Sequence, residues 1–242
     1  MSIFTEWNGY KREDFLFEGR NAILVYPKEP DKEGRWLFKT EYFGAFPELE
    51  IMMLERGFHI AYLKNKSRWV KEDDIEVKDR FIEYLSRERG LNPRCATVGM
   101  SCGGMHAVYL ASKYPGRVAV CYIDAPVLNL LSCPMALGEA TDDSMIAEFE
   151  GATGFTLSTL ISYRHHPIDE APKMLAARVP LFISGGDSDS VVPYSENGAL
   201  LSEMYRKSDV PFREVIVEGR GHHPHTIQDM NLIVEFIEKY YN

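Results

Sequence analysis

The sequence predicts an α/β protein, a mostly parallel twisted sheet with helices on both faces. Two observations carry the prediction. Short apolar, β-branched runs recur along the chain with helical stretches between them, and the runs are continuously apolar, as strands covered on both faces must be. At 242 residues and 45% hydrophobic content, the chain suits one domain spanning 1–242 with an insertion.

The strands are expected at "NAILVY" (Asn21 to Tyr26), "RWLFK" (Arg35 to Lys39), "FHIAYL" (Phe58 to Leu63), "CATVG" (Cys95 to Gly99), "VAVCYID" (Val118 to Asp124), "PLFIS" (Pro180 to Ser184) and "REVIV" (Arg213 to Val217). Among the helices, Phe81, Ile82 and Leu85 share a face before Gly90 ends the turn. The last helix carries Ile227, Met230, Val234, Ile237 and Tyr241 on one stripe, and Thr226 with Asp229 three residues on reads as a capping box. From about 127 to 177 the rhythm of strands is lost while helical pieces remain, so a small helical lid insertion is expected there; a longer crossover helix is the alternative.

Composition narrows the function. A net charge of -9 without a basic run argues against nucleic acid or an anionic membrane as partner, because phosphates are held by clustered Lys and Arg. Met1 to Tyr10 has no basic stretch followed by an apolar one, and nowhere do about 18 apolar residues run together. The expectation is a cytoplasmic protein that does not touch the membrane. Cys95, Cys102, Cys121 and Cys133 are irregularly spaced and form no C-x-x-C, which favours reduced, buried thiols.

The chemistry starts at "GMSCG", Gly99 to Gly103, where a strand passes into the helix "MHAVYLASKY". That context suits a nucleophile elbow, a strained turn that lifts one hydroxyl clear of the backbone. Ser101 sits midway. Side chains at Gly99 and Gly103 would collide with neighbouring backbone, and Gly104 allows close helix packing. Cys102, one step off, is expected to point inward while its amide, at the helix N-terminus, donates to a developing oxyanion.

A serine hydroxyl attacks only when a histidine removes its proton and a carboxylate holds the imidazole. Two loops at the ends of later strands supply these types: "GGDSDSVVP" (Gly185 to Pro193) and "EGRGHHPH" (Glu218 to His225). Strand ends of this kind are where α/β sites are built. Asp187, Asp189 and Asp124 are the candidate acids.

The motif Gly99-x-Ser101-x-Gly103, Asp189 in "DSVVP" and His222 in "GRGH", in that order, resemble the α/β-hydrolase superfamily over nearly the whole chain. More narrowly, "YFG" at Tyr42 to Gly44, "SENG" at Ser195 to Gly198 and "GHHPH" are similar to prolyl-oligopeptidase-like esterases, including carbohydrate deacetylases. The resemblance implies an α/β-hydrolase fold with Ser101 as nucleophile, His222 as base and Asp189, two residues before Val-Val-Pro, as acid. Asp187 is then a turn former. It also places a second oxyanion donor in the loop Thr40 to Phe46, at the backbone amide of Glu41 or of Tyr42; the H-G-G form of many lipases is absent.

No cofactor and no metal are expected. A zinc site at His222, His223 and His225 would match no known ligand spacing, since H-E-x-x-H does not occur. His59 and His106 read as structural, and His165 and His166 sit in the insertion without an assigned role. Tyr42, Phe43, Phe149, Phe155 and Tyr163 suit stacking on a sugar ring or an aryl acyl group, and equally suit a core. The expected partner is a small carboxylic ester, among them an acetylated or aryl-acylated sugar. Peptide or thioester hydrolysis on the same residues, and a non-catalytic binding role, are the alternatives.

Overall fold

The computed structural model describes residues 2–70 and 73–241; Met1, Lys71, Glu72 and Asn242 lie outside the described residues. The strands are β1 (Ile3–Trp7), β2 (Tyr10–Phe17), β3 (Arg20–Tyr26), β4 (Trp36–Lys39), β5 (His59–Leu63), β6 (Cys95–Met100), β7 (Val118–Asp124), β8 (Leu181–Gly186) and β9 (Phe212–Val217). They form one sheet in the order β1-β2-β3-β5-β4-β6-β7-β8-β9. Every pair from β5 to β9 is parallel, whereas β1, β2 and β3 pair antiparallel and β3 joins β5 antiparallel. This is the α/β-hydrolase fold, a mostly parallel sheet dressed by helices.

The apolar runs in the sequence correspond to β3 through β9. The strands β1 and β2 have no counterpart in the sequence reading. The β2 segment YKREDFLF carries four successive charged residues, and its burial alternates along the strand. An antiparallel ribbon at the sheet edge has one solvated face, so the continuous apolar signal is missing there.

The helices are α1 (Glu48–Glu55), α2 (Asp74–Arg89), α3 (Cys102–Lys113), α4 (Ile146–Thr153), α5 (Leu157–Leu160), α6 (Pro167–Ala176), α7 (Gly198–Arg206) and α8 (Asn231–Tyr240). Strand alternation splits the core. Leu24, Trp36, Phe38 and Ile183 face α2, α3, α6 and α7, while Ile23, Val25, Leu37 and Phe182 face α1 and α8. Phe81, Ile82 and Leu85 of α2 are fully buried, and Gly90 closes that helix at φ +69°.

The last helix starts later than its apolar stripe suggests. It begins at Asn231 and has no side-chain cap, so the Thr226 and Asp229 capping box does not form. Thr226 sits at φ +79°, its amide donates to Asp124 (3.2 Å) and its carbonyl accepts from Arg220. These tertiary bonds hold the segment as a loop, although Ile227 still enters the core. Between β7 and β8 lie α4, α5 and α6 and no strand. A third apolar cluster joins this region to α3 through Cys102, Met105, Leu130, Phe149 and Leu160.

Candidate active site

Ser101 stands between β6 and α3 at φ +53°, ψ −120°. A non-glycine residue in that region costs on the order of 1–3 kcal/mol and persists only where its surroundings over-determine it. Here they do. The Ser101 amide donates to Asp124 O (3.0 Å), and its carbonyl accepts from Gly104 (2.9 Å) and Val127 (3.1 Å), so the end of β7 clamps the turn. A Cβ on Gly99 would lie 2.4 Å from Gly103 O, and one on Gly104 would lie 2.5 Å from Pro126 Cβ. The close approach at Gly104 is thus to the chain leaving β7. Gly103 is less tight, its nearest would-be contacts being Glu41 Cβ and Thr40 Oγ1 at 3.3 Å.

The loops after β8 and β9 bring the other two groups to this turn. His222 Nε2 lies 3.1 Å from Ser101 Oγ, and His222 Nδ1 lies 2.7 Å from Asp189 Oδ2. The other oxygen of Asp189 accepts from the amides of Val191 (2.9 Å) and Val192 (2.8 Å), so the carboxylate is aimed by its own turn. Asp187 points elsewhere. It accepts from Gly219 N (2.7 Å) and Ser188 Oγ (2.9 Å), tying the two loops together.

Asp124 is fully buried and serves a different histidine. It accepts from Ser184 Oγ (2.5 Å), Arg220 Nη2 (2.8 Å) and His225 Nδ1 (2.7 Å) as well as from Thr226 N. Burial opposes its ionisation, but the His225 hydrogen bond and the Arg220 charge outweigh burial and hold the carboxyl below its ordinary range. Sequence reasoning overlooked Arg220 and Ser184; the arginine between two glycines of "GRG" was the available signal.

Cys102 is buried, and burial pushes its thiol up to about 11. It therefore stays protonated and inward while its amide sits at the start of α3. In the loop after β4, the Tyr42 amide already donates to Glu41 Oε1 (3.2 Å). The Glu41 amide makes no hydrogen bond among the described residues and lies beside Gly103. Thr40 Oγ1 donates to Gly103 O (2.7 Å), and Lys39 Nζ donates to Ala45 O (3.2 Å) while pairing with Glu50 (2.5 Å). A buried chain from Lys78 through Asn65 reaches the Glu41 carboxylate. Neither Lys78 nor Asn65 stood out in the sequence, because nothing local links them to Glu41.

The remaining expected residues fall in several places. Phe43 packs between Trp7 (5.2 Å) and Tyr62 (5.6 Å) against the α1 and α8 core. Phe149 is fully buried on Trp69. Phe155 and Tyr163, with His165, line a cavity of about 740 Å³ whose other wall includes Met105 and Tyr109 of α3. His166 accepts from Leu130 N (3.1 Å). His106 is buried between Lys78 and the Arg68 carbonyl, and His59 is buried in β5. All four cysteines are buried and unpaired. No helix among the described residues is long and apolar enough to cross a membrane.

An open parallel sheet with a serine elbow and a histidine and a carboxylate on the next loops defines a hydrolase of the α/β-hydrolase superfamily. The chain belongs to the prolyl oligopeptidase family, whose sequence profile matches residues 55–242. Solved structures of the same fold include an S-formylglutathione hydrolase from Agrobacterium tumefaciens, 14% identical, TM-score 0.68, covering 99% of each chain. A truncated carbohydrate esterase from gut microbiota is 14% identical with TM-score 0.66, covering 92% of this chain and 91% of its own. A puromycin-hydrolyzing peptidase from Mycobacterium tuberculosis is 16% identical with TM-score 0.72, covering 92% of this chain and 36% of its own.

Proposed function

We propose that the protein is a serine hydrolase that cleaves a small carboxylic ester through an acyl-enzyme. The observation that carries this is the continuous line of hydrogen bonds from Ser101 Oγ through His222 to Asp189. With its Nδ1–H donating a hydrogen bond to the Asp189 carboxylate, His222 presents a lone pair on Nε2 to the serine hydroxyl. It takes that proton as Oγ bonds the ester carbonyl carbon, then returns it to the leaving alcohol. Water repeats the sequence in reverse to free the acid and Ser101. No cofactor enters the cycle.

The carbonyl oxygen gains negative charge in the tetrahedral intermediate and needs two donors. The Cys102 and Glu41 amides suit this role, because neither has an acceptor among the described residues, Cys102 opens α3 directly after Ser101, and the Glu41 amide lies beside Gly103. Tyr42 is the weaker donor, its amide being engaged by the Glu41 carboxylate.

For the substrate we favour an acetyl or aryl-acyl ester of a sugar. A carbohydrate esterase that shares the fold along nearly all of both chains supports this choice; the cavity walled by Phe155 and Tyr163 lies on the far part of α3, and its lining includes none of Ser101, Asp189 and His222. The region at about 127–177, whose Leu130 and Phe149 share an apolar cluster with Cys102 next to Ser101, serves as a lid in this reading. A peptidase reading is the alternative, favoured by the family name and the puromycin-hydrolyzing peptidase. Initial rates on acetylated xylo-oligosaccharides, p-nitrophenyl esters and aminoacyl anilides separate the two. A fluorophosphonate probe should label wild type and leave Ser101→Ala unlabelled; a folded wild type that takes no label would refute the serine chemistry.

A further inference from the structure

The loop that carries His222 also brings His223 and His225 to it, and the three rings form an equilateral group. Their centroids are 4.9 Å apart in each pair, and one nitrogen from each lies within 4.8 Å of the others. In a tetrahedral tris-imidazole site with metal–nitrogen bonds of about 2.0–2.1 Å, ring centres fall about 5 Å apart. The ring centres thus stand at the spacing a metal would impose, while the nitrogens, up to 4.8 Å apart, must close to about 3.4 Å to share one ion.

The surrounding hydrogen bonds set the tautomers. A metal-binding histidine ordinarily gives its other N–H to a carboxylate, which fixes the ring and raises its basicity. Two of the three rings have that arrangement: His222 Nδ1 on Asp189 and His225 Nδ1 on Asp124, each at 2.7 Å. Both therefore direct an Nε2 lone pair away from the carboxylate. His223 is exposed and makes no hydrogen bond among the described residues, so its ring is the one that rotates to close the site. Two carboxylates against one guanidinium, Arg220, leave the neighbourhood net negative, which favours a cation.

We propose that His222, His223 and His225 bind a divalent cation of the zinc class and that its binding silences the hydrolase. The inhibitory half rests on the serine-hydrolase reading above; the binding half does not. Coordination uses the Nε2 lone pair of His222, the same pair that would accept the Ser101 proton. Ser101 keeps its proton, no covalent bond changes, and removal of the metal restores the base. Imidazole nitrogens select zinc, copper or nickel over magnesium, which prefers oxygen.

The test measures binding and reactivity separately on untagged protein. Equilibrium dialysis with Zn²⁺ should show one more bound ion in wild type than in His223→Gln, and Co²⁺ should give the visible absorption of a tetrahedral site only in wild type. Zn²⁺ should lower fluorophosphonate labelling of Ser101 at least tenfold, with EDTA restoring it and Mg²⁺ without effect. His223→Gln should label normally without metal and need at least tenfold more Zn²⁺ for half-inhibition. Equal Zn²⁺ binding or equal sensitivity in wild type and His223→Gln would overturn the site. Absent labelling of metal-free protein, with the bound ion still counted, would instead sink the serine chemistry and leave the site standing.

Discussion

His225 and Asp124 form a second imidazole and carboxylate pair, 2.7 Å from Nδ1 to Oδ2, beside the His222 and Asp189 pair of the same length. The two pairs differ in what lies beyond the ring. His222 goes on to Ser101, whereas the Asp124 pair ends in Arg220 and Ser184 beneath the site. One pair reaches the Ser101 hydroxyl and the other ties the loop that carries His222 to the end of β7.

Substituting the two acids should therefore fail in different ways. Asp189→Asn removes the acceptor for His222 Nδ1 and should lower kcat by about 10³-fold or more with little change in the urea midpoint. Asp124→Asn leaves the Arg220 charge buried without its counter-ion and should cost about 3–5 kcal/mol of stability. Asp187→Asn, which keeps an oxygen for Gly219 N, should retain turnover within about threefold. A kcat loss at Asp187 rather than Asp189 would reassign the acid.

The elbow glycines are expected to separate folding from catalysis. Gly99→Ala sets a Cβ 2.4 Å from Gly103 O, backbone against backbone, and should yield no soluble folded protein. Gly103→Ala meets Glu41 and Thr40 at 3.3 Å and can be absorbed by a small shift of the loop. It should fold, with kcat down about tenfold because the Glu41 amide is displaced from the oxyanion position. Circular dichroism melts and single-turnover rates distinguish the two outcomes.

Thr40 offers a gentler probe of the same loop. Its hydroxyl bonds Gly103 O at 2.7 Å, and Thr40→Val deletes that bond at constant shape. The expected loss is about 1–2 kcal/mol in stability and a fall in kcat with KM unchanged, since only the transition state uses the hole.

His59 makes stability sensitive to acid. Burial is the main cause that pushes its imidazole down from 6.5 to about 4, with Asp31 opposing. Below pH 6.5 the unfolded chain takes up a proton that the folded one refuses until pH nears 4, so stability falls as pH drops through that window. Between pH 7 and 5 the loss amounts to about 2 kcal/mol, and His59→Phe should remove that part of the slope. The Asp124 carboxyl acts at lower pH, because its depressed value contributes stability above about pH 4 that disappears as pH falls through the folded value. Thermal melts of both variants from pH 7 to 3 read the two windows.

Much of the fold was legible because it is written in local patterns. Central strands such as Val118 to Asp124 must be apolar on both faces, and Gly90 must end α2 where φ turns positive. The elbow was legible for the same reason, since Gly99 and Gly104 are demanded by contacts only a few residues or one strand away. The strands β1 and β2 were not, because a solvated ribbon carries charges that mask its alternation. The late start of α8 was not, because Thr226 is withheld from the helix by Asp124 and Arg220, groups from other parts of the chain.

By itself the sequence determined which residue types stand at the ends of which strands: Ser101, then Asp189, then His222, each beside the turn that exposes it. The resemblance those residues carry already paired Asp189 with His222; tertiary structure decided the partners around them. It gave Asp124 to His225, engaged the Tyr42 amide while leaving the Glu41 amide without an acceptor among the described residues, and grouped three imidazoles at one rim. Backbone geometry and burial act over a few residues and leave a trace in spacing, whereas a hydrogen bond between a strand end and a loop 101 residues apart depends on sheet order and register, which local spacing does not encode.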